Sequence, residues 1–193
     1  TYTPVTGFEG SDTVVYTVTD GALSDTGTLT ITVLGGEEIT RDGKAGITTG
    51  EGSDTITITG DLKHDVSTNG GNDVIHIDNK KIQDGAQVDM GAGDDELYVK
   101  EINTSGTVID MGTGNDSITV NDKINNNVTI DMGEGDDTLT ITFDTDKDFK
   151  TNIDMGDGED TIIIDSTFRE HLTYNDSGTL TIDNSTIDKK GNI

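Results

Sequence analysis

A Gly-x-Gly-x-Asp turn leading straight into an alternating strand recurs six times along this chain. The copies are GEGSDTITI (50–58), NGGNDVIHI (69–77), GAGDDELYV (91–99), GTGNDSITV (112–120), GEGDDTLTI (133–141) and GDGEDTIII (156–164). Their glycine pairs are Gly50 with Gly52, Gly91 with Gly93, Gly112 with Gly114, Gly133 with Gly135, and Gly156 with Gly158; the second copy has Asn69 with Gly71. The aspartates that close them are Asp54, Asp73, Asp95, Asp116, Asp137 and Asp160, in steps of 19, 22, 21, 21 and 23 residues. A period near 21 residues signals a solenoid, in which each repeat adds one coil.

Two strands fit in each period. Apolar residues two and four places after each aspartate form two columns: Ile56, Ile75, Leu97, Ile118, Leu139, Ile162, and Ile58, Ile77, Val99, Val120, Ile141, Ile164. The strand that feeds each turn reads QVDM, VIDM, TIDM and NIDM, so Val88, Ile109, Ile130 and Ile153 stack, as do Met90, Met111, Met132 and Met155. Ile47 and Val66, with Thr49 and Thr68, continue those positions into the first two coils. Period two sends alternate residues to one face, so four apolar columns describe a flattened tube of parallel strands. The methionines read as core filler, since a flexible thioether packs irregular gaps. The segments between the two strands differ in length and composition, and the sequence reads that edge as free to vary.

Composition supports few other classes. Only 30% of residues are hydrophobic and 4% aromatic, poor for an ordinary core, but their placement is periodic. The formal charge of −26 excludes the basic footprint of a nucleic-acid binder and disfavours an anionic membrane surface. No apolar run approaches the ~18–20 residues of a membrane span. With no cysteine, disulfides and thiolate metal sites are excluded. The opening residues TYTPVTGFEG carry no basic, apolar leader, so either export uses no cleaved signal or the chain is a segment of something longer. The histidines and arginines are scattered, and no acid–base constellation stands out; a non-enzyme is expected.

Glycines at the turn let successive carbonyl oxygens face one spot, and the aspartate adds a carboxylate. Stacked turns then offer hard oxygens to a cation, which suits calcium, with six to eight oxygen ligands, better than magnesium. Asp94, Asp136 and Glu159 read as outward, solvated charge. Asp89, Asp110, Asp131 and Asp154 form a second acidic column, facing out.

These turns resemble the calcium-binding nonapeptide repeats of RTX (repeat-in-toxin) proteins, G-G-x-G-x-D-x-U-x. Two departures stand out: Met or Thr replaces the glycine before the turn, and the motif comes once per coil, not every nine residues. The layout is similar to the single-sided calcium solenoid of a bacterial ice-binding adhesin. The resemblance implies calcium on one edge of the tube, five or six ions in all, with the eighteen turn residues named above as the site. It also implies a secreted or surface segment of a large Gram-negative adhesin, exported by type I secretion and folded by external calcium. A host, substrate or neighbouring-cell ligand would be its partner, and a monomer within a longer multidomain chain its state. A Thr-rich ice-binding face and the calcium tail of a secreted enzyme or toxin are the alternatives. For ice, the outward row Thr57, His76, Tyr98, Thr119, Thr140, Ile163 is too mixed.

Residues 1–35 differ. TVVYTVTDG (13–21) and GTLTITV (27–33) read as two alternating strands. With YTP and F-x-G-x-D before them, they resemble the end of a cadherin-like or Ig-like repeat of surface adhesins; a capping hairpin is the simpler reading. The expected fold is therefore all-β: this hairpin or partial sandwich, a solenoid over 36–164, and an irregular last coil and cap over 165–193.

Overall fold

The computed structural model describes residues 2–3, 10–125, 127–142, 151–164, 172–174, 180–182 and 185–188. All the regular structure described is strand. Two compact units divide the chain, 1–35 and 36–193.

The first unit is an antiparallel pair, β1 (Gly10–Thr19) and β2 (Ser24–Val33). Asp20 makes the bend: its Oδ1 accepts from the Ala22 and Leu23 amides at 2.9 and 2.8 Å. Val14 pairs with Leu29 and Tyr16 with Gly27, so Val14, Tyr16, Val18, Leu29 and Ile31 share one face. The Tyr16 ring lies over Gly27, where a Cβ would meet its outer atoms.

The second unit is a β-solenoid of about six coils. First strands of the coils are β3 (Glu38–Arg41), β5 (Thr55–Ile58), β7 (Val74–Ile82), β9 (Glu96–Ile102), β11 (Ser117–Ile124), β13 (Thr138–Ile141) and β15 (Thr161–Ile164), which pair in parallel as a seven-stranded sheet. Second strands are β4 (Ile47–Thr48), β6 (Val66–Ser67), β8 (Val88–Asp89), β10 (Val108–Asp110), β12 (Thr129–Asp131) and β14 (Asn152–Asp154). They pair in parallel in the other sheet. Ile118 sits between Leu97 and Leu139, and Ile109 between Val88 and Ile130, as the repeat predicts. At the far end of this sheet, β18 (Ser185–Asp188) pairs in parallel with β14. The strands β17 (Leu180–Ile182) and β16 (Leu172–Tyr174) follow antiparallel, covering the edge. The rest of the expected cap lies outside the described residues.

The core is one narrow seam between the sheets. Ile56, Ile75, Ile118 and Leu139 are fully buried, as are Met111 and Met132, while Ile39 and Ile162 at the two ends of that column are only partly covered. That gradient is what stacking requires: a coil's apolar face is removed from water only by its neighbours.

The edge opposite the glycine turns is more ordered than its variable length suggests. Leu62, Ile82, Ile102 and Ile124 form a fifth buried column, in register across a bulge. Ala86, Thr107, Val128 and Thr151 form a sixth. Lys81 pairs with the nearly buried Glu101 at 3.0 Å, and the Asn125 amide donates to Asn103 Oδ1 at 2.7 Å. This corrects the expectation that the edge is free: its length varies, but its inward residues still stack.

Candidate metal centre

The turns stack on the edge where second strands meet first strands. Gly112 and Gly114 hold φ of 92° and 136°, and a methyl on either would run into the Gly91 or Gly93 carbonyl oxygen below. The next two coils repeat this. Gly133 and Gly135, at φ 93° and 133°, press on the carbonyls of Gly112 and Gly114. Gly156 and Gly158, at φ 76° and 157°, press on those of Gly133 and Gly135. Five turns share this form; Asn69, at φ 63°, takes the first-glycine position in one of them, beside Gly71. The first turn differs, since neither Gly50 nor Gly52 takes up a left-handed φ.

Main-chain bonds tie turn to turn. The Thr113 amide donates to Gly91 O at 2.9 Å, and Thr113 O accepts from Gly93 N at 2.8 Å. Ala92, Glu134 and Asp157 repeat the pattern, with Gly135 N donating to Asp157 O at 2.8 Å. The carbonyls of the first glycine and of the residue after it thus serve the stack, each with one lone pair left. They do not simply converge on one point, as the sequence reading expects. The second glycines, Gly93, Gly114, Gly135 and Gly158 among them, serve close backbone approach, which the sequence reading assigned to cation binding alone.

The aspartates are the main observation. All six are buried, from 0% exposed at Asp73 and Asp95 to 9% at Asp160. They lie on the inward face because they precede the inward isoleucines and leucines by two. Each carboxylate leans back one coil. Asp73 Oδ1 accepts from the Asp54 amide at 2.7 Å, Asp95 from Asp73 at 2.7 Å, and Asp116 from Asp95 at 2.8 Å. Asp137 accepts from Asp116 at 2.8 Å and Asp160 from Asp137 at 3.1 Å. In all six, the other oxygen, Oδ2, is buried with no hydrogen-bond partner.

Buried polar atoms are rarely left unpaired, and a buried unpaired charge costs more than a neutral group. The column shows this in its acidity: burial pushes Asp95 and Asp137 up to about 7 and Asp116 to about 6, and raises Asp73. The amide donated by the preceding coil's aspartate opposes that rise, and neighbouring aspartates add to it. A stack of carboxylate oxygens buried without a partner is the chemistry a hard cation would satisfy. Among the described residues no three acidic or histidine side chains stand together, so main-chain oxygens would have to supply the rest of its shell.

A second ladder runs outside the first. Asp94 N donates to Asn72 Oδ1 at 3.1 Å, Asn115 N to Asp94 Oδ1 at 2.8 Å, Asp136 N to Asn115 Oδ1 at 2.9 Å, and Glu159 N to Asp136 Oδ1 at 2.9 Å. Ser53 begins it. Asp94 and Asp136, read from sequence as solvated charge, are exposed but also cap the next coil. The signal was present: Ser53, Asn72, Asp94, Asn115, Asp136 and Glu159 all carry an oxygen acceptor.

Asp89, Asp110, Asp131 and Asp154 stand in register on the outward side of the second sheet. Burial, then the charges of Asp131 and Asp89, raise the Asp110 pKa. On the other sheet, Thr40, Thr57, His76, Tyr98, Thr119, Thr140 and Ile163 form one outward row. The His76 and Tyr98 rings stack at 5.1 Å and interrupt its threonines.

Residues 1–32 match the family described as a bacterial Ig domain. The match covers the hairpin unit and none of the solenoid. No curated protein and no solved structure matches the chain.

Proposed function

We propose that this chain is a calcium-dependent structural and adhesive segment of a bacterial surface protein of RTX type. The observation that carries the reading is the column of six buried aspartates, each with one oxygen bonded to the coil below and one with no partner. The Ig-domain match beside a β-solenoid fits a surface, adhesin-like segment.

Bound calcium supplies two positive charges to each interval and accepts six to eight oxygens. The chain's own part is to position the donors. The inward strand start aims the aspartate, the preceding amide fixes one carboxylate oxygen, and the glycines allow the backbones to approach. Without a cation, the stacked carboxylates repel and stay desolvated, so binding and folding are coupled. Low calcium then favours an open chain, and millimolar calcium a stiff tube.

Circular dichroism with calcium titration against chelator tests this. The expected result is a strand signal and a thermal transition that rise with calcium and fall with chelator. Equal folding in both conditions, with no calcium-induced signal, overturns the reading.

A further inference from the structure

Asparagine precedes glycine at one place in the sequence, Asn69-Gly70. With no Cβ, glycine leaves its amide nitrogen unshielded, and the asparagine side chain lies open to attack by it. The fold does not call for that glycine. Position 70 is the first variable place of the turn, held by Glu51, Ala92, Thr113, Glu134 and Asp157 in the other copies. Gly70 pairs with Ala92 in the stack, and a Cβ on it would crowd only the end of the Glu51 side chain, at 3.0 Å. Stacked coils hold the reacting groups. Asn69 Nδ2 donates to Thr49 O in the coil below. Asn69 O accepts from Ala92 N in the coil above at 2.9 Å, and Gly70 N donates to Thr68 O at 3.0 Å. Asn69 itself is exposed, so water reaches it.

We propose that Asn69 is a modification site, at which the chain deamidates spontaneously, shut while the first three coils are stacked and open once they part. Ring closure brings the Gly70 nitrogen onto Asn69 Cγ. The new N–C bond forms, the Cγ–Nδ2 bond breaks, and the side-chain nitrogen leaves as ammonia with the Gly70 amide proton. Water then opens the five-membered imide at one carbonyl or the other, leaving aspartate or isoaspartate at position 69. To reach Cγ, the chain must turn about the Asn69 Cα–Cβ and Cα–C bonds, which the Thr49 and Ala92 contacts fix. Either product stacks again poorly. An ionised carboxylate has no proton for Thr49 O, and isoaspartate adds a methylene to the main chain between two bonded coils. A tube that has once opened is thereby marked at its second turn. The inference rests on the stacking, not on which ion the column holds.

The test times the reaction. The whole chain in calcium chloride is held at mildly alkaline pH, with and without denaturing urea, beside Gly70→Ala, which leaves Asn69 in place. Peptide mass spectrometry and isoaspartyl methyltransferase labelling follow the conversion. In urea, Asn69 is expected to convert before any other asparagine. Without urea it should convert at least about tenfold more slowly, since two hydrogen bonds must first be given up. In Gly70→Ala the rate in urea should fall to that of the other asparagines. Equal rates with and without urea overturn the gate. Earlier conversion at another asparagine, or an undiminished rate in Gly70→Ala, overturns the site.

Discussion

The first two coils and the four that follow solve the same stacking problem with different chemistry. In the column just before the turns, the first two coils carry Thr49 and Thr68, and the later four carry methionines. The Thr68 hydroxyl donates to Met90 O at 2.7 Å, Thr49 donates to Thr68 O at 3.3 Å, and the Asn69 amide donates to Thr49 O. Methionine has no proton to give. The early coils therefore hold each other by side-chain bonds that need no ion. At that column the later coils have apolar packing alone, and are otherwise tied by main-chain ladders, the outer acceptor ladder and the carboxylate column. A solenoid's stability is a sum of nearest-neighbour terms, so on the proposed calcium reading an unequal set of neighbours would respond unequally to removal of the ion.

Chelation should expose that difference with the largest effect. By hydrogen exchange in chelator, the coils from Asp95 to Asp160 are expected to lose protection before those between Ile47 and Met90. Uniform loss along the tube would erase the distinction. Next comes glycine substitution. Gly112→Ala forces a side chain into left-handed backbone, at ~1–2 kcal/mol, and drives its methyl onto the Gly91 carbonyl, for a total of about 3 kcal/mol or more. Gly50→Ala meets no atom within 4 Å and no left-handed φ, so urea denaturation in calcium should detect only a few tenths of a kcal/mol, as at an ordinary surface position.

Acidity follows. Because burial raises the folded-state pKa of Asp95, Asp116 and Asp137, their favourable contribution without calcium is complete below the unfolded value near 4. It is lost as pH rises through about 6 to 7. The calcium-free chain should melt higher at pH 5 than at pH 8, and calcium should reverse the order because protons compete for its ligands. A calcium-free melting point that rises with pH would contradict the buried column. Thr68→Val is the smallest of the set. It removes one donor to Met90 O and should cost about 0.5–1.5 kcal/mol, with a larger share of that loss seen in chelator than in calcium.

Much of this architecture is readable from the chain because two clocks agree: the coil period and the two-residue strand alternation. Ile56, Ile118 and Met111 lie where both place them. Leu62, Ile82, Ile102 and Ile124 escape such a reading because they stand 8, 9, 7 and 8 residues after their aspartates. Bulges between Ile77 and Lys81, and between Val120 and Lys123, absorb the slip, and a fixed-period alignment cannot follow it. The six aspartates are legible as a column, but not the direction in which their carboxylates lean. That depends on which neighbouring amide lies within reach.

The two turn ladders run in opposite senses, the buried carboxylates reaching back one coil and the exposed acceptors reaching forward. Each interval is therefore laced from both sides, and the intervals are connected in series. A pull along the tube loads every interval equally, and the one with the fewest links gives way first. Each coil that peels off adds about 21 residues of slack, roughly 70 Å of extended chain. Under tension such a tube would lengthen in discrete steps, and every ion held between coils would raise the force at which the next step occurs.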